Sequence, residues 1–222
     1  MPSIDFHGHP VDEPVLQIGL IGCGSHGWRN IVPVFSFVPV RLVATCDLEA
    51  EKADAFARKL GAANAYSDFR EMLRSEDLDA VFVIVGYDRD GHALYPDIVI
   101  ACLEAGVHVW MEKPGASRLE DVERMIGARQ SSGKQAAVGY KWMYFQTVQK
   151  ARQLMSEEDF GEPSLLLLER VEKMPAAEDV AAYLKREANP PGMSGFMDHL
   201  CHPASGMISL FGDPDTLTWQ HG

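Results

Sequence analysis

Three glycines spaced as Gly22-x-Gly24-x-x-Gly27 follow the apolar stretch Val15–Ile21 and open a helix-like stretch reaching about Phe37. In that setting the first glycine permits a tight turn and the second lets a phosphate approach the backbone. The third lets helix and strand pack closely, with the helix N-terminus facing the phosphates. Asp47 stands twenty residues past the last glycine, at the end of the next apolar run, where a carboxylate can accept hydrogen bonds from the ribose hydroxyls of an adenosine. Loop and acid together point to a dinucleotide. A glycine-rich turn without a ligand and a methyltransferase loop also fit this segment taken alone. No Gly-Lys-Ser/Thr follows, so the loop is not of the Walker type. Asp47 would repel a 2′-phosphate and Leu48-Glu-Ala offers that phosphate no cation, which favours NAD over NADP. Arg41 and Lys52 are the cations that could reverse this by folding inward.

Further along, Val107-His-Val-Trp-Met-Glu112-Lys113-Pro114 ends a strand pattern with a cation and a proline. In a doubly wound sheet ligands bind at the carboxyl ends of the strands, so Lys113 is expected at the crevice. A solvated lysine paired with Glu112 is the competing reading. Pro114 fixes the local backbone and is a candidate for a cis bond. Asp198 and His202 are four apart on an expected helix and therefore face one side. A carboxylate beside an imidazole holds its orientation and raises its basicity, as an acid–base pair requires. A buried helix histidine beside a surface acid is the alternative. His199, Cys201 and His202 cluster in sequence, and His7-x-His9 lies near the start. His199 points off the Asp198/His202 face, however, and no metal site is expected.

The elements that must carry these groups read as strands and helices in alternation. After a polar leader over 1–14, strands are expected at Val15–Ile21, Arg41–Cys46, Asn64–Tyr66, Ala80–Val85, Val107–Met111 and Gln135–Gly139. Helices are expected between them: Leu48–Leu60, Phe69–Arg74 capped by Ser67 or Asp68, Tyr95–Ala105, and one opened by a Ser117-Arg-Leu-Glu120 capping box and running to Gly133. Pro33 should kink the helix after the glycine loop or mark an early turn. Strict alternation with short connections implies an α/β, Rossmann-type doubly wound parallel sheet covered by helices on both faces over 15–140. Past Gly139 the rhythm changes to a long helix Tyr144–Glu158, a strand Ser164–Glu172, a short helix near Val180–Arg186, a helix Phe196–Phe211 and a strand at Thr216–Gln220. Residues 141–222 thus read as part of a second α/β domain, incomplete for a sheet of its own.

Composition narrows the function classes. Twenty Lys+Arg against 32 Asp+Glu leave a net charge of −12, so the chain has no electrostatic reason to coat nucleic acid or an anionic membrane. No apolar run approaches the ~18 residues of a membrane span. The four cysteines, Cys23, Cys46, Cys102 and Cys201, form no CxxC pair, and a reducing, cytoplasmic setting is expected.

Taken in order, Gly-Cys-Gly-Ser-His-Gly, Cys46-Asp47, Glu112-Lys113-Pro114, Val138-Gly-Tyr-Lys141 and Asp198-x-x-x-His202 resemble the Gfo/Idh/MocA family of dinucleotide-dependent oxidoreductases, from about Leu16 to Gly212. The resemblance implies hydride transfer between NAD(P) and a hydroxyl-bearing carbon of a sugar, cyclitol or related small molecule. Carried over, Lys113 contacts the reacting oxygen, His202 is the acid–base group, and Asp198 assists it or holds a substrate hydroxyl. The cofactor set becomes Gly22, Gly24, Ser25, His26, Gly27, Asp47, His92, Glu112 and Lys113, where His92 matches a histidine that the family often places after the fourth strand. Three departures stand out. Gly86-Tyr-Asp88 replaces Thr-Pro-Asn, Tyr140-Lys141-Trp142 replaces Phe-Asn-Arg, and Ser205 replaces a carboxylate. The chain also ends where relatives continue through a second sheet, so a C-terminally truncated fragment of a longer product, or a shortened member whose missing strands come from elsewhere, is expected. The family sheet builds oligomers, which leaves room for a homo-oligomer here. A dinucleotide-binding regulator without catalysis is the second reading, since the family contains such members.

Overall fold

The computed structural model describes residues 14–169, 175–185, 191–216 and 218, and only the backbone of 191–198. His7, His9 and the rest of 1–13, the side chain of Asp198, and most of the strand expected at Thr216–Gln220 lie outside the described residues. The chain divides into two compact units. One runs through Asp88 and resumes over His92–Gly139; the other comprises Arg89–Gly91 and the chain from Tyr140 onward.

The first unit is built on six parallel strands, β1 (Leu16–Ile21), β2 (Val40–Cys46), β3 (Asn64–Tyr66), β4 (Ala80–Val83), β5 (His108–Met111) and β6 (Ala136–Val138). Their order across the sheet is β3-β2-β1-β4-β5-β6, so β1 is central and Ile21 pairs with Cys46 on one side and Val83 on the other. A parallel sheet is covered on both faces, which is why these strands are short runs of Val, Ile, Leu and Ala rather than alternating patterns. Ile18, Leu20, Val81 and Val83 have no residual exposure at all. The one fully buried hydroxyl in the strands, that of Thr45, donates to Ala53 O at 2.9 Å, so its burial leaves no unpaired polar group.

The connecting helices are α1 (Ala50–Leu60), α2 (Phe69–Ser75), α3 (Tyr95–Glu104) and α4 (Leu119–Ser132). Asp68 caps α2 by accepting from Arg70 N at 2.9 Å, as its position before the apolar run suggests. The capping box expected at Ser117 does not form. Arg118 occupies the N-cap of α4 without a side-chain bond, and the Ser117 hydroxyl accepts from Ala93 N at 2.8 Å instead. The local motif lost to a tertiary partner 24 residues away. The helix after the glycine loop begins at Ser25, winds as a π-turn over Gly27–Ile31 and tightens to a 3-10 turn over Val32–Phe37. Pro33 at the start of the 3-10 segment has no N–H to give to the preceding turn, which accounts for the change of winding.

In the second unit, Lys141–Tyr144 forms a 3-10 turn, followed by α5 (Gln146–Met155), α6 (Ala177–Leu184) and α7 (Pro191–Phe211). The long helix expected over Tyr144–Glu158 is therefore shorter at both ends. Phe145 takes extended backbone before α5, and the Ser156 hydroxyl turns back onto Gln153 O at 2.7 Å to close it. The strand expected over Ser164–Glu172 is also corrected. Its described part is irregular, with Leu165 85% and Leu167 78% exposed. Alternating side chains make a strand only where a neighbour takes up the backbone N–H and C=O groups, and no strand of the second unit is present among the described residues. α7 starts earlier than expected, with Pro191 in its first turn, where a missing N–H costs nothing.

Candidate functional site

The glycine loop is shaped by the end of β1. Gly22 has φ +94°, a region that L side chains rarely adopt, and a Cβ there would lie 2.0 Å from Ile84 O. Its N–H donates to Cys46 O at 2.8 Å, which fastens the turn to the end of β2. Gly24 is different in kind, since a Cβ built on it meets nothing within 4 Å. The backbone here faces open space that a phosphate could enter. A Cβ on Gly27 would touch Ile84 Cδ1 at 3.4 Å and Gly22 O at 3.5 Å, so this glycine serves close packing and would just admit a methyl. The helix that begins at Ser25 leaves the N–H groups of its first turn without intrahelical acceptors, as an anion site at a helix N-terminus requires.

Asp47 is drawn into this turn. Its Oδ2 accepts from Cys23 N at 2.8 Å and its Oδ1 from Glu49 N at 2.9 Å, so the carboxylate stands against the loop with about half of its roughly four acceptor positions in use. The Cys23 thiol adds a contact of 3.6 Å to Cys46 O. Burial, reinforced by the Asp47 charge, pushes both Cys23 and Cys46 up to about 12, so neither thiol is a nucleophile near neutral pH. Lys52 folds onto Glu49, with Nζ 2.5 Å from Oε1, and this hydrogen bond raises its pKa above the usual lysine range. Arg41 lies at the opposite end of β2, some ~20 Å from Asp47 at ~3.3 Å per residue, beyond the reach of its side chain.

At the ends of β4 and β5, Glu112 N donates to Val83 O at 3.0 Å and brings Glu112 and Lys113 to the carboxyl edge of the sheet. The Lys113–Pro114 bond is cis. Glu112 is only 9% exposed. Its Oε2 accepts from Lys113 N at 3.1 Å, and its Oε1 lies 3.1 Å from Nε2 of His26 in the glycine loop. His26 Nδ1 lies 3.0 Å from Asn30 Nδ2. His92 follows β4, where Asp88 N donates to its carbonyl at 2.8 Å. Its Nε2 lies 3.1 Å from Arg118 Nη2. A guanidinium can only donate, so Nε2 accepts and the ring proton sits on Nδ1, 3.5 Å from Asp88 Oδ2.

In the second unit His202 is 4% exposed and lies parallel to the Trp142 indole, with ring centroids 6.3 Å apart and planes 7° apart. Gly206, one turn further along α7, makes room for that indole, since a Cβ there would come to 3.3 Å of it. Ser205 donates to His202 O at 2.8 Å and is occupied by its own helix. The structure thus brings Gly22, Gly24, Ser25, His26, Gly27, Asp47, Glu112 and Lys113 to one edge of the first unit. His202 stands on the second unit, on the same helix as Asp198. Three contributors escaped the sequence reading: Cys23 through its amide, Asn30, and Arg118. Only Asn30 left a signal, lying four residues after His26 on one helical face.

A glycine turn, an acid at the end of β2 and a strand order that reverses beside β1 define a dinucleotide-binding Rossmann fold. More closely, the chain belongs to the Gfo/Idh/MocA oxidoreductase family, whose NAD-binding Rossmann fold matches residues 16–140. Among sequence relatives, inositol 2-dehydrogenase of Salmonella paratyphi B is 28% identical over 154 residues, covering 68% of this chain and 44% of the relative. The scyllo-inositol 2-dehydrogenase (NADP(+)) IolU of Bacillus subtilis is 37% identical over 119 residues, 54% of this chain and 35% of the relative. Among solved structures, a dehydrogenase from Chromobacterium violaceum superposes with a TM-score of 0.61 at 26% identity, over 68% of this chain and 43% of the other. The WlbA dehydrogenase from Bordetella pertussis, solved with NADH and UDP-GlcNAcA, gives 0.55 at 29%, over 64% and 42%. The chain therefore spans less than half the length of the relatives it matches. No helix among the described residues is long and apolar enough to cross a membrane.

Proposed function

We propose that this chain binds NAD and belongs to an oxidoreductase that moves hydride between the nicotinamide and a hydroxyl-bearing carbon of a sugar or cyclitol. The family match over residues 16–140 carries the reading, and the open space above Gly24 beside the anchored Asp47 carboxylate agrees with it. The relatives named for inositol and scyllo-inositol supply the substrate class. Asp47 takes the adenosine ribose hydroxyls with its remaining lone pairs, Gly22, Gly24, Ser25 and Gly27 hold the diphosphate, and His26 binds the cofactor further toward the nicotinamide. His92, Glu112 and Lys113 border the nicotinamide end. NAD is preferred to NADP because the Asp47 carboxylate faces the position of a 2′-phosphate, while Lys52 is engaged by Glu49 and Arg41 is out of reach.

When bound, the nicotinamide supplies the hydride acceptor. His202, assisted by Asp198, takes the proton of the substrate hydroxyl, and the Lys113 ammonium stabilises the negative charge that develops on that oxygen. The domains divide near residue 140, with the cofactor on the first and His202 on the second. Calorimetric titration tests the binding half: NAD and NADH bind, NADP binds more weakly, and Asp47→Ala loses affinity for NAD. Equal affinity in Asp47→Ala would remove the ribose role. The rise of NADH absorbance with a panel of inositols tests the catalytic half, with Lys113→Ala and His202→Ala expected to lose turnover while still binding NAD. A second reading, dinucleotide binding without turnover, draws on His202 being 4% exposed beneath Trp142. It forecasts NADH binding with no substrate oxidation.

A further inference from the structure

The sheet order puts β4 between β1 and β5, so the contact from His26, after β1, to Glu112, after β5, passes over the end of β4. At ~4.8 Å between neighbouring strands this is a span of roughly 10 Å across the point where the connections reverse direction. The imidazole is held at both nitrogens. Glu112 as a carboxylate can only accept, so Nε2 donates to it, and Nδ1 then accepts from the Asn30 amide. A side chain fixed at both edges, yet 51% exposed, offers a ligand its flat faces rather than a hydrogen bond. The second oxygen of the same Glu112 takes the N–H of Lys113.

Resting on the NAD-binding reading above, the geometry points to a role for these two residues that is separate from the diphosphate loop: His26 is a wall for the flat nicotinamide ring, and Glu112 is the positioning residue that sets this wall and the Lys113 backbone together. The adenosine end, held by Asp47 and the glycines, does not depend on them. A loss at the wall therefore falls on one half of the dinucleotide. A general loosening of the loop would fall on both.

Fluorescence titrations of the full chain with NADH and, separately, with ADP distinguish the two. His26→Ala should weaken NADH about tenfold or more while ADP changes by less than about twofold. His26→Phe, which keeps a flat face, should recover most of the NADH affinity. Glu112→Gln keeps a single acceptor oxygen and turns an amide donor toward either His26 Nε2 or the Lys113 N–H, so it should weaken NADH while ADP changes by less than about twofold. Parallel loss of NADH and ADP in His26→Ala, or unchanged NADH affinity, overturns the inference. Should His26→Ala fail to fold, Asn30→Ala leaves the strut in place but frees its outer edge, and the same selective loss for NADH decides. A wild type that binds neither probe removes the NAD-binding reading itself and the inference with it.

Discussion

Gly22 and Gly24 lie two residues apart and do opposite work. At Gly22 the backbone conformation alone costs an L residue about 1–2 kcal/mol, and a methyl would also run into Ile84 O. At Gly24 a side chain meets no protein atom, so its only victim is a ligand. Gly22→Ala should therefore lower the denaturant midpoint, whereas Gly24→Leu should leave the midpoint unchanged and abolish NADH binding. Equal destabilisation by both would refute the distinction. The tight turn at Gly22 and the open backbone at Gly24 were legible from the spacing of a glycine motif between strand and helix. The contact between His26 and Glu112 was not, since 86 residues separate them and only the strand order brings them together. Glu112 reads in sequence as the natural partner of its neighbour Lys113; in the fold its carboxylate takes the Lys113 amide and turns across to the imidazole.

Elements of the first unit were legible where their signals were local. β3 over Asn64–Tyr66, and α1 closed by Gly61, follow from short-range pattern and C-cap chemistry. Asp68 and Ser117 separate the cases. Both precede helices, yet only Asp68 bonds within its own first turn, while Ser117 spends its hydroxyl on Ala93 N. Asp68→Ala should cost about 1 kcal/mol of stability by chemical denaturation, the usual loss for a cap. Ser117→Ala should leave α4 intact and instead raise amide exchange at Ala93. The segment from Ser164 shows the limit of pattern reading: four consecutive leucines supply an apolar run, but pairing is a property of two segments and cannot be read from one.

On the scale of the whole chain, every residue proposed to hold the dinucleotide lies in the unit that closes at Gly139, and the proposed acid–base pair lies beyond it. The first unit has its own covered sheet and core, as an independently folding domain requires. A chain ending at Gly139 should therefore keep its NADH affinity to within about threefold and lose all turnover. Loss of binding in a folded truncation would show that the second unit contributes to the cofactor site.

The central place of β1 also governs how the polypeptide assembles. Its residues are synthesised before both of its neighbours, yet one flank is supplied by Val40–Cys46 and the other only by Ala80–Val83, some sixty residues later. Until that stretch has been synthesised, a bare apolar ribbon must wait with one side unzipped, which makes nascent chains that stop short of Ala80 natural clients for chaperones and prone to clump without them.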